Sequence, residues 1–177
     1  MVLENLYCDG EVSVDGHSWS NSAYAKDFNE RFWPPTYAGR SDAVASRAYI
    51  PSAGHLWDLA ARKGLTYRSY GAYASRVSNG TTMDAAPGVG GLVGHVAPDY
   101  GGPRQRDTAN VAVFLREFKE FEDNYDSPDP NKRFSNFVVM SMPEDHTRGT
   151  APGAFTPKAM VANNDYAIGQ LVDAGQP

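Results

Sequence analysis

Residues 136–147 have the sequence NFVVMSMPEDHT, in which an apolar run ends at a proline and is followed by two carboxylates and a histidine. The apolar part predicts a buried strand of an α/β sheet over residues 134–142. In open α/β sheets, ligands bind just beyond the carboxyl ends of the strands. A carboxylate and a neutral imidazole suit zinc, iron or manganese. We therefore predict Asp145 and His146 as ligands of a divalent metal and expect Glu144 to be solvated. The alternative is a solvated loop with a surface histidine.

A second polar cluster lies near the start of the chain, where residues 9–17 have the sequence DGEVSVDGH. Ser13 falls in a predicted loop between a short strand at 5–8 and a helix at 20–28. The N-terminus of a helix offers free N–H groups to a phosphate, and a serine beside a metal can act as a nucleophile. The alternative for Ser13 is a turn serine that caps a helix. His17 is either a phosphate donor or metal ligand, or a histidine packed beside Trp19.

Composition limits the class of protein. The chain has 177 residues, of which 41% are hydrophobic and 21% charged, which is enough for one domain with a core. The net charge is -5 without a basic patch, which argues against nucleic-acid binding. No apolar run approaches the length of a transmembrane helix. Because Cys8 is the only cysteine, an internal disulfide and a cysteine-based metal site are excluded. The residues leave the compartment and the oligomeric state open.

The middle of the chain predicts alternating helices and strands. Ser20 or Ser18 is expected to cap the first helix, and Trp33, Pro34 and Pro35 are expected to stop it. A second helix is expected over 52–63, with Leu56, Leu59 and Ala60 on its apolar face. Gly64 is expected as its left-handed stop and His55 as a surface or cap residue. A strand at 65–73 follows. Residues 79–103 are rich in Gly and Pro and predict a long loop. His95 lies in this loop and is a candidate substrate-binding residue.

The second half predicts two clear helices. Asp107 or Thr108 caps the first, whose apolar stripe has the spacing of a single helical face. Thr156 and Pro157 start the second. The predicted stripe of the first helix is Val111, Phe114, Leu115, Phe118 and Phe121, and the predicted inner face of the second is Met160, Val161, Asn164, Ile168, Leu171 and Val172. The alternation predicts an α/β fold with a mainly parallel sheet and helices packed on it.

These segments resemble the phosphoesterase family of bacterial phospholipases C and acid phosphatases, within the alkaline phosphatase superfamily. The resemblance rests mainly on residues 9–19 (DGEVSVDGHSW) and 142–147 (MPEDHT), with support from 57–58, 64–71, 114–118, 152–153 and 156–165. It implies a three-layer α/β sandwich, here partial, and metal-dependent hydrolysis of phosphate esters through a serine phosphoenzyme. It also implies an extracytoplasmic location.

The resemblance further implies roles for single residues. Ser13 matches the position of the nucleophile, His17 the polar residue shortly after it, and Asp145 with His146 the metal or leaving-group side. The family's pattern has further metal ligands before the position of Met1 and after that of Pro177. We therefore expect a single domain, truncated at both ends, with the remaining metal ligands outside this chain and weak turnover by the chain alone.

Two other classes remain open. A sulfatase or mutase of the same superfamily is a rival, but a sulfatase needs a Cys or Ser in a motif with Pro and Arg, which residues 13–16 do not provide. A non-catalytic binding or interaction module of an α/β fold is the alternative from another class. Missing neighbouring strands would also leave sheet edges free to associate.

Overall fold

The computed structural model describes residues 10, 12–36, 49–77, 80–101 and 105–175. The strand predicted at 5–8 lies outside these residues. Five α-helices and four short strands are described, and 3-10 turns at Gly90–Leu92, Pro130–Lys132 and Pro143–His146 complete the list. The elements in chain order are α1 (Ser13–Ser22), α2 (Asp27–Thr36), α3 (Leu56–Arg62), β1 (Tyr67–Tyr70), β2 (Ala74–Arg76), β3 (Met83–Ala85), α4 (Asp107–Asp123), β4 (Phe137–Met140) and α5 (Pro157–Ala174).

The centre of the fold is a parallel pair formed by β1 and β4. Tyr67 lies opposite Phe137, and Tyr70 lies opposite Met140. Both strands fall inside the predicted spans but are shorter. The mixed α/β class and the parallel pairing are thus confirmed. Two paired strands do not establish a three-layer sandwich, which stays a prediction.

Hydrophobic clusters lie on both faces of β4, because successive side chains of a strand point to opposite faces. Phe137 and Val139 pack against the cluster around Trp57 of α3. Val138 and Met140 pack against the cluster that contains Phe114 of α4. Helices α3 and α4 therefore hold the strand pair from its two faces, and its carboxyl end is left to carry polar residues.

The two long helices confirm part of the predicted faces. In α4, Val111 and Phe114 are buried as predicted. Its N-cap is Arg106, one residue before the predicted cap. In α5, Thr156 caps the helix by accepting a hydrogen bond from Ala159 N at 3.3 Å, and Met160 and Asn164 are buried as predicted. The prediction was wrong for Val161, Ile168 and Val172, which are exposed. The buried residues Met160, Asn164 and Ala167 lie along one side of the helix, and the three exposed residues lie outside that side.

The predictions for the third helix and for the region after β1 were partly wrong. α3 begins at Leu56 instead of residue 52, and it buries Trp57 and Ala60 and exposes Leu59. Gly64 has φ of 69°, which confirms the predicted left-handed stop. The loop predicted over 79–103 contains β3, which pairs antiparallel with β2. A three-residue strand is too short to give a readable sequence period.

The first helix prediction was also wrong. Residues 13–22 form α1, so the polar cluster predicted as a loop is helical from Ser13, and Ser18 and Ser20 lie inside the helix instead of capping it. A separate helix, α2, runs to Thr36, so the prolines lie in its last turn instead of ending it earlier. The φ angle that proline imposes is helical, which lets a helix end continue through it.

A charged network joins the sheet to α4. Arg68 donates from Nε and Nη2 to the two carboxylate oxygens of Glu117, at 2.6 Å each, and the Tyr70 hydroxyl donates to Glu117 Oε2 at 2.7 Å. Both Arg68 and Glu117 are largely buried. Since Arg68 and Tyr70 belong to β1, this carboxylate fixes α4 across the sheet.

We expect Glu117→Gln to lower the free energy of unfolding by about 2 kcal/mol, because a charge-assisted bidentate contact becomes a neutral one and Arg68 loses its counter-charge. Urea denaturation of both proteins measures the difference. Glu120→Gln, on the exposed side of the same helix, is the matched control and should change stability by less than about 0.5 kcal/mol. Equal effects of the two substitutions would contradict the role given to Glu117.

Candidate functional site

The carboxyl ends of β1 and β4 lead into the polar segments singled out in the sequence. After β4 the chain forms the 3-10 turn Pro143–His146, called here the His146 turn. After β1 it forms a turn at 71–73, and there Tyr73 contacts α1. The Tyr73 hydroxyl donates to the carbonyl oxygen of His17 at 3.2 Å, and the two rings meet edge to face with centroids 6.2 Å apart. Helix α1 is thus docked at this rim of the sheet.

The charge of His146 acts on His17. Burial of the His17 ring lowers its pKa below the usual value, and the neighbouring charge of His146 lowers it further. His17 is exposed at the surface, so its imidazole is reachable from solvent. The early and the late polar clusters of the sequence are linked by this electrostatic interaction.

Ser13 is the first residue of α1 and is exposed. The N-cap of this helix is Val12, so Ser13 does not occupy the capping position. Residues four apart on a helix are neighbours on one face, which sets Ser13 beside His17 with about 6 Å between Cβ atoms. The serine hydroxyl, the helix N-terminus and the His17 ring thus belong to one end and one face of α1.

Hydrogen bonds in both directions hold the His146 turn to the start of α4. Glu144 Oε2 accepts from Asp107 N at 3.0 Å, and Asp107 Oδ2 accepts from Glu144 N at 2.9 Å. Glu144 is 6% exposed and Asp107 0%. The expectation that Glu144 is solvated was therefore wrong: its carboxylate satisfies a first-turn N–H of α4, a group that needs a partner when buried.

Two further side chains complete this contact. Asn164 of α5 donates from Nδ2 to Asp107 Oδ2 at 2.9 Å and to the carbonyl of Met142 at 3.0 Å. Arg106 ion-pairs with Glu144, donates to the Ala159 carbonyl at 3.3 Å, and has its guanidinium 4.0 Å from the centre of the Phe155 ring. An arginine in a loop is usually solvated, but Arg106 has one partner within the His146 turn and two beyond it.

Asp145 and His146, the predicted metal ligands, are exposed at the end of this turn. Within the part of the chain that the structure describes, no three His, Cys, Asp or Glu side chains are grouped to hold an ion. These residues alone therefore do not make a complete metal site, and no step of a mechanism can be derived through a metal. Asp9 and Glu11 lie outside the described residues.

His95 lies beside β1. Its ring stacks on Tyr67 with centroids 4.1 Å apart, and Nδ1 is 3.2 Å from the Tyr67 carbonyl oxygen. His95 also pairs with the strand through its backbone, because its carbonyl oxygen accepts from Ser69 N at 2.9 Å and the next residue, Val96, forms a parallel bridge with Ser69. His95 lines a cavity of about 420 Å³ with Arg68 and Glu117.

Several residues of the rim were missed or assigned other roles at the sequence level. Tyr73 was predicted only as the end of a strand, and Asp107 only as a helix cap. Asn164 was predicted on the inner face of its helix, and a polar residue at such a position signals a buried hydrogen bond. No local pattern identifies Tyr73, because its contact with His17 spans 56 residues.

Comparison of the chain with family models, with curated proteins and with solved structures finds no match. Over the described ranges, none of the helices combines the length and the apolar character that a membrane crossing requires.

An aromatic cluster backs the rim. His55, the N-cap of α3, stacks on Trp57 with centroids 4.3 Å apart and meets Tyr73 edge to face at 5.0 Å. His55 was predicted as a surface or cap residue; it is a cap but only 4% exposed. Burial lowers the pKa of His55, although nearby Asp58 opposes the shift, and burial raises the pKa of Tyr73 to about 12.

We expect the free energy of unfolding to fall as the pH is lowered from about 7. An unfolded histidine titrates near 6.5, and His55 and His17 titrate lower in the folded chain. Between the folded pKa and 6.5 the unfolded chain binds more protons, so acid favours unfolding there. Urea denaturation at a series of pH values measures the slope, which should flatten in His55→Gln and flatten further when His17→Gln is added. An unchanged slope in the double variant would contradict this assignment.

Proposed function

We propose that this chain carries a phosphoryl-transfer site that hydrolyses phosphate esters through a phosphoserine at Ser13. The observation that supports the proposal is the electrostatic interaction of His17 with His146, in the turn that follows the parallel strand β4, with Ser13 one helical turn before His17. The carboxyl ends of such strands are where α/β sheets bind ligands. The resemblance of residues 9–19 and 142–147 to phosphoesterases supports the same chemistry.

Each residue has a stated role in the proposed reaction. Because its pKa is lowered, His17 is mostly neutral near pH 7 and can accept the proton of the Ser13 hydroxyl. The bond from Ser13 Oγ to phosphorus forms as the bond to the leaving oxygen breaks, and the leaving alkoxide takes up a proton from water. Water or the resulting hydroxide then attacks the phosphoserine, phosphate leaves, and His17 returns its proton to Ser13 Oγ. His146 binds a phosphoryl oxygen or the leaving group.

The N-terminus of α1 fits this role electrostatically. First-turn N–H groups and the helix dipole favour a negative charge at this end of the helix. Val12, at the N-cap, has no side-chain group that could occupy those N–H groups. A phosphoryl group attached to Ser13 would therefore lie in a favourable field.

A divalent metal remains part of the proposal by resemblance. Asp145 and His146 offer the oxygen and nitrogen donors that zinc, manganese or iron accept, and when bound such an ion would polarise a phosphoryl oxygen. The three-layer sandwich and an extracytoplasmic location are proposed on the same resemblance. None of these is needed for the roles given to Ser13 and His17.

We expect Ser13→Ala to abolish the covalent phosphoenzyme and to reduce hydrolysis of a chromogenic phosphomonoester and phosphodiester by roughly 10³-fold or more, because the attacking oxygen is removed. Acid quenching followed by peptide mass spectrometry detects the phosphoryl group on the peptide that contains Ser13, even where turnover is slow. The assay is run with zinc, with manganese and with a chelator.

The control for this test is Ser127→Ala, a serine in the loop after α4, which should behave as the unmodified chain. His146→Ala should slow phosphorylation by about 10²-fold while leaving Ser13 as the labelled residue. Hydrolysis that persists in Ser13→Ala, or labelling of another residue under all three metal conditions, would refute the proposal.

One observation favours the alternative of an interaction module. The outer face of α5 exposes Val161, Ile168 and Val172 at 47%, 46% and 55%. Their spacing of seven and four residues aligns them along one side of the helix. An apolar stripe of this kind is typical of a surface that contacts another protein or another copy of the chain.

If this stripe associates, Ile168→Glu should lower the apparent mass of the chain to that of a monomer, because a charge in an apolar contact is costly. Light scattering over a range of concentrations measures the mass. Lys158→Glu, also exposed on α5, is the control and should leave association unchanged. A monomeric unmodified chain at all concentrations would exclude self-association through this stripe.

A further inference from the structure

The contacts around the His146 turn point to a function for residues that do not touch the proposed substrate. The turn connects β4 to the segment that leads to α5, and it carries the exposed Asp145 and His146. Thr147, the next residue, has φ of 55°, a left-handed conformation that a residue with a side chain rarely adopts. The chain therefore changes direction directly after His146, and it needs contacts that fix this direction.

Those contacts come from the start of α4 and the middle of α5. Asp107 and Glu144 each accept a hydrogen bond from the backbone N–H of the other, so a displacement of the turn breaks two buried hydrogen bonds at once. Asn164 adds one to Asp107 and one to the carbonyl of Met142, immediately before the turn. Hydrogen bonds to charged groups are stronger than those between neutral groups, so together these bonds favour one conformation of the turn.

Arg106 holds the far end of the same segment. Its guanidinium pairs with Glu144 at the start of the segment and contacts Phe155 and the Ala159 carbonyl at its end. The segment between these contacts includes Gly149 and Gly153, both at positive φ. The contacts of Arg106 at both ends thus restrain a loop whose backbone could otherwise adopt other conformations.

We propose that Arg106, Asp107 and Asn164 are positioning residues, which hold the His146 turn in one conformation at the carboxyl end of β4. The inference rests on the proposed function for its purpose, since the pair His17 and His146 is the proposed phosphate-binding element. The immobilisation of residues 143–148 by buried groups of α4 and α5 does not depend on that function.

The first test is hydrogen exchange on the intact chain. Asn164→Ala should accelerate amide exchange in residues 143–148 by about tenfold or more, relative to residues 111–118 of α4 in the same protein. The matched control is Asn163→Ala, because Asn163 is the adjacent residue on α5 and bonds to Thr108 instead of the turn. Asp107→Asn, which keeps the volume of the side chain, is the second variant in case Asn164→Ala fails to fold.

If amide exchange accelerated equally in 143–148 and 111–118, Asn164 would contribute only to general stability. That result would overturn the inference. So would unchanged exchange in 143–148 in both variants. The control variant should leave the ratio of the two regions within twofold of the unmodified chain.

The second test has a readout that a purely structural role would not change. Inorganic phosphate is added while the imidazole signals of His17 and His146 are followed by NMR. In the unmodified chain and in Asn163→Ala, both rings should respond with one shared dissociation constant. In Asn164→Ala, the response of His146 should weaken at least tenfold while that of His17 persists; a joint response that survives in Asn164→Ala would overturn the inference.

The two tests separate this inference from the proposed function. If neither ring of the unmodified chain responds to phosphate, the proposed phosphate site fails, and the exchange ratios still decide whether Asn164 and Asp107 hold the turn. If both rings respond but exchange is unchanged, the site stands and the positioning inference fails.

Discussion

The interaction on which the rest of the candidate site depends is the exchange of hydrogen bonds between Asp107 and Glu144. The two residues are 37 positions apart, and each carboxylate accepts from the backbone N–H of the other. A buried N–H without an acceptor costs about 1–3 kcal/mol, and a buried carboxylate without donors costs more. The start of α4 and the turn after β4 can therefore meet in one register only. That register determines where His146 lies.

Burying two carboxylates side by side requires compensation, and the fold supplies it from three sources. Arg106 pairs with Glu144, Asn164 donates to Asp107, and the first N–H of α4 donates to Glu144. The aromatic residues behind the rim have a different effect, because they favour the neutral form of the imidazoles. Enclosure by Trp57 and Tyr73 favours the neutral form of His55, and burial does the same for His17. The rim thus contains charged groups that hydrogen bonds and an ion pair fix in position, together with neutral imidazoles that can accept a proton.

The sequence indicated the site better than it indicated the elements that carry it. Residues 136–147 predicted a strand that delivers polar groups to the end of a sheet, and β4 followed by the His146 turn has this arrangement. Residues 9–17 were predicted as a loop, but the chain is helical from Ser13 onwards. The error has a physical cause: α1 buries Asp15, Ser18 and Asn21 instead of apolar residues, so no hydrophobic period marks it as a helix. The same limit hid β3, whose three residues are identified by pairing alone.

Local chemistry in the sequence determined the mixed α/β class, the apolar stripe of α4, the cap and first proline of α5 and the stop at Gly64, because each depends on residues within one or two turns of chain. It also determined which side chains could bind a phosphate or a metal. Tertiary structure alone decided that Glu144 is buried, that Val161, Ile168 and Val172 are exposed, and that His95 pairs with β1. These outcomes depend on contacts between residues tens of positions apart, and such contacts are selected by the packing of the whole chain instead of by any local pattern.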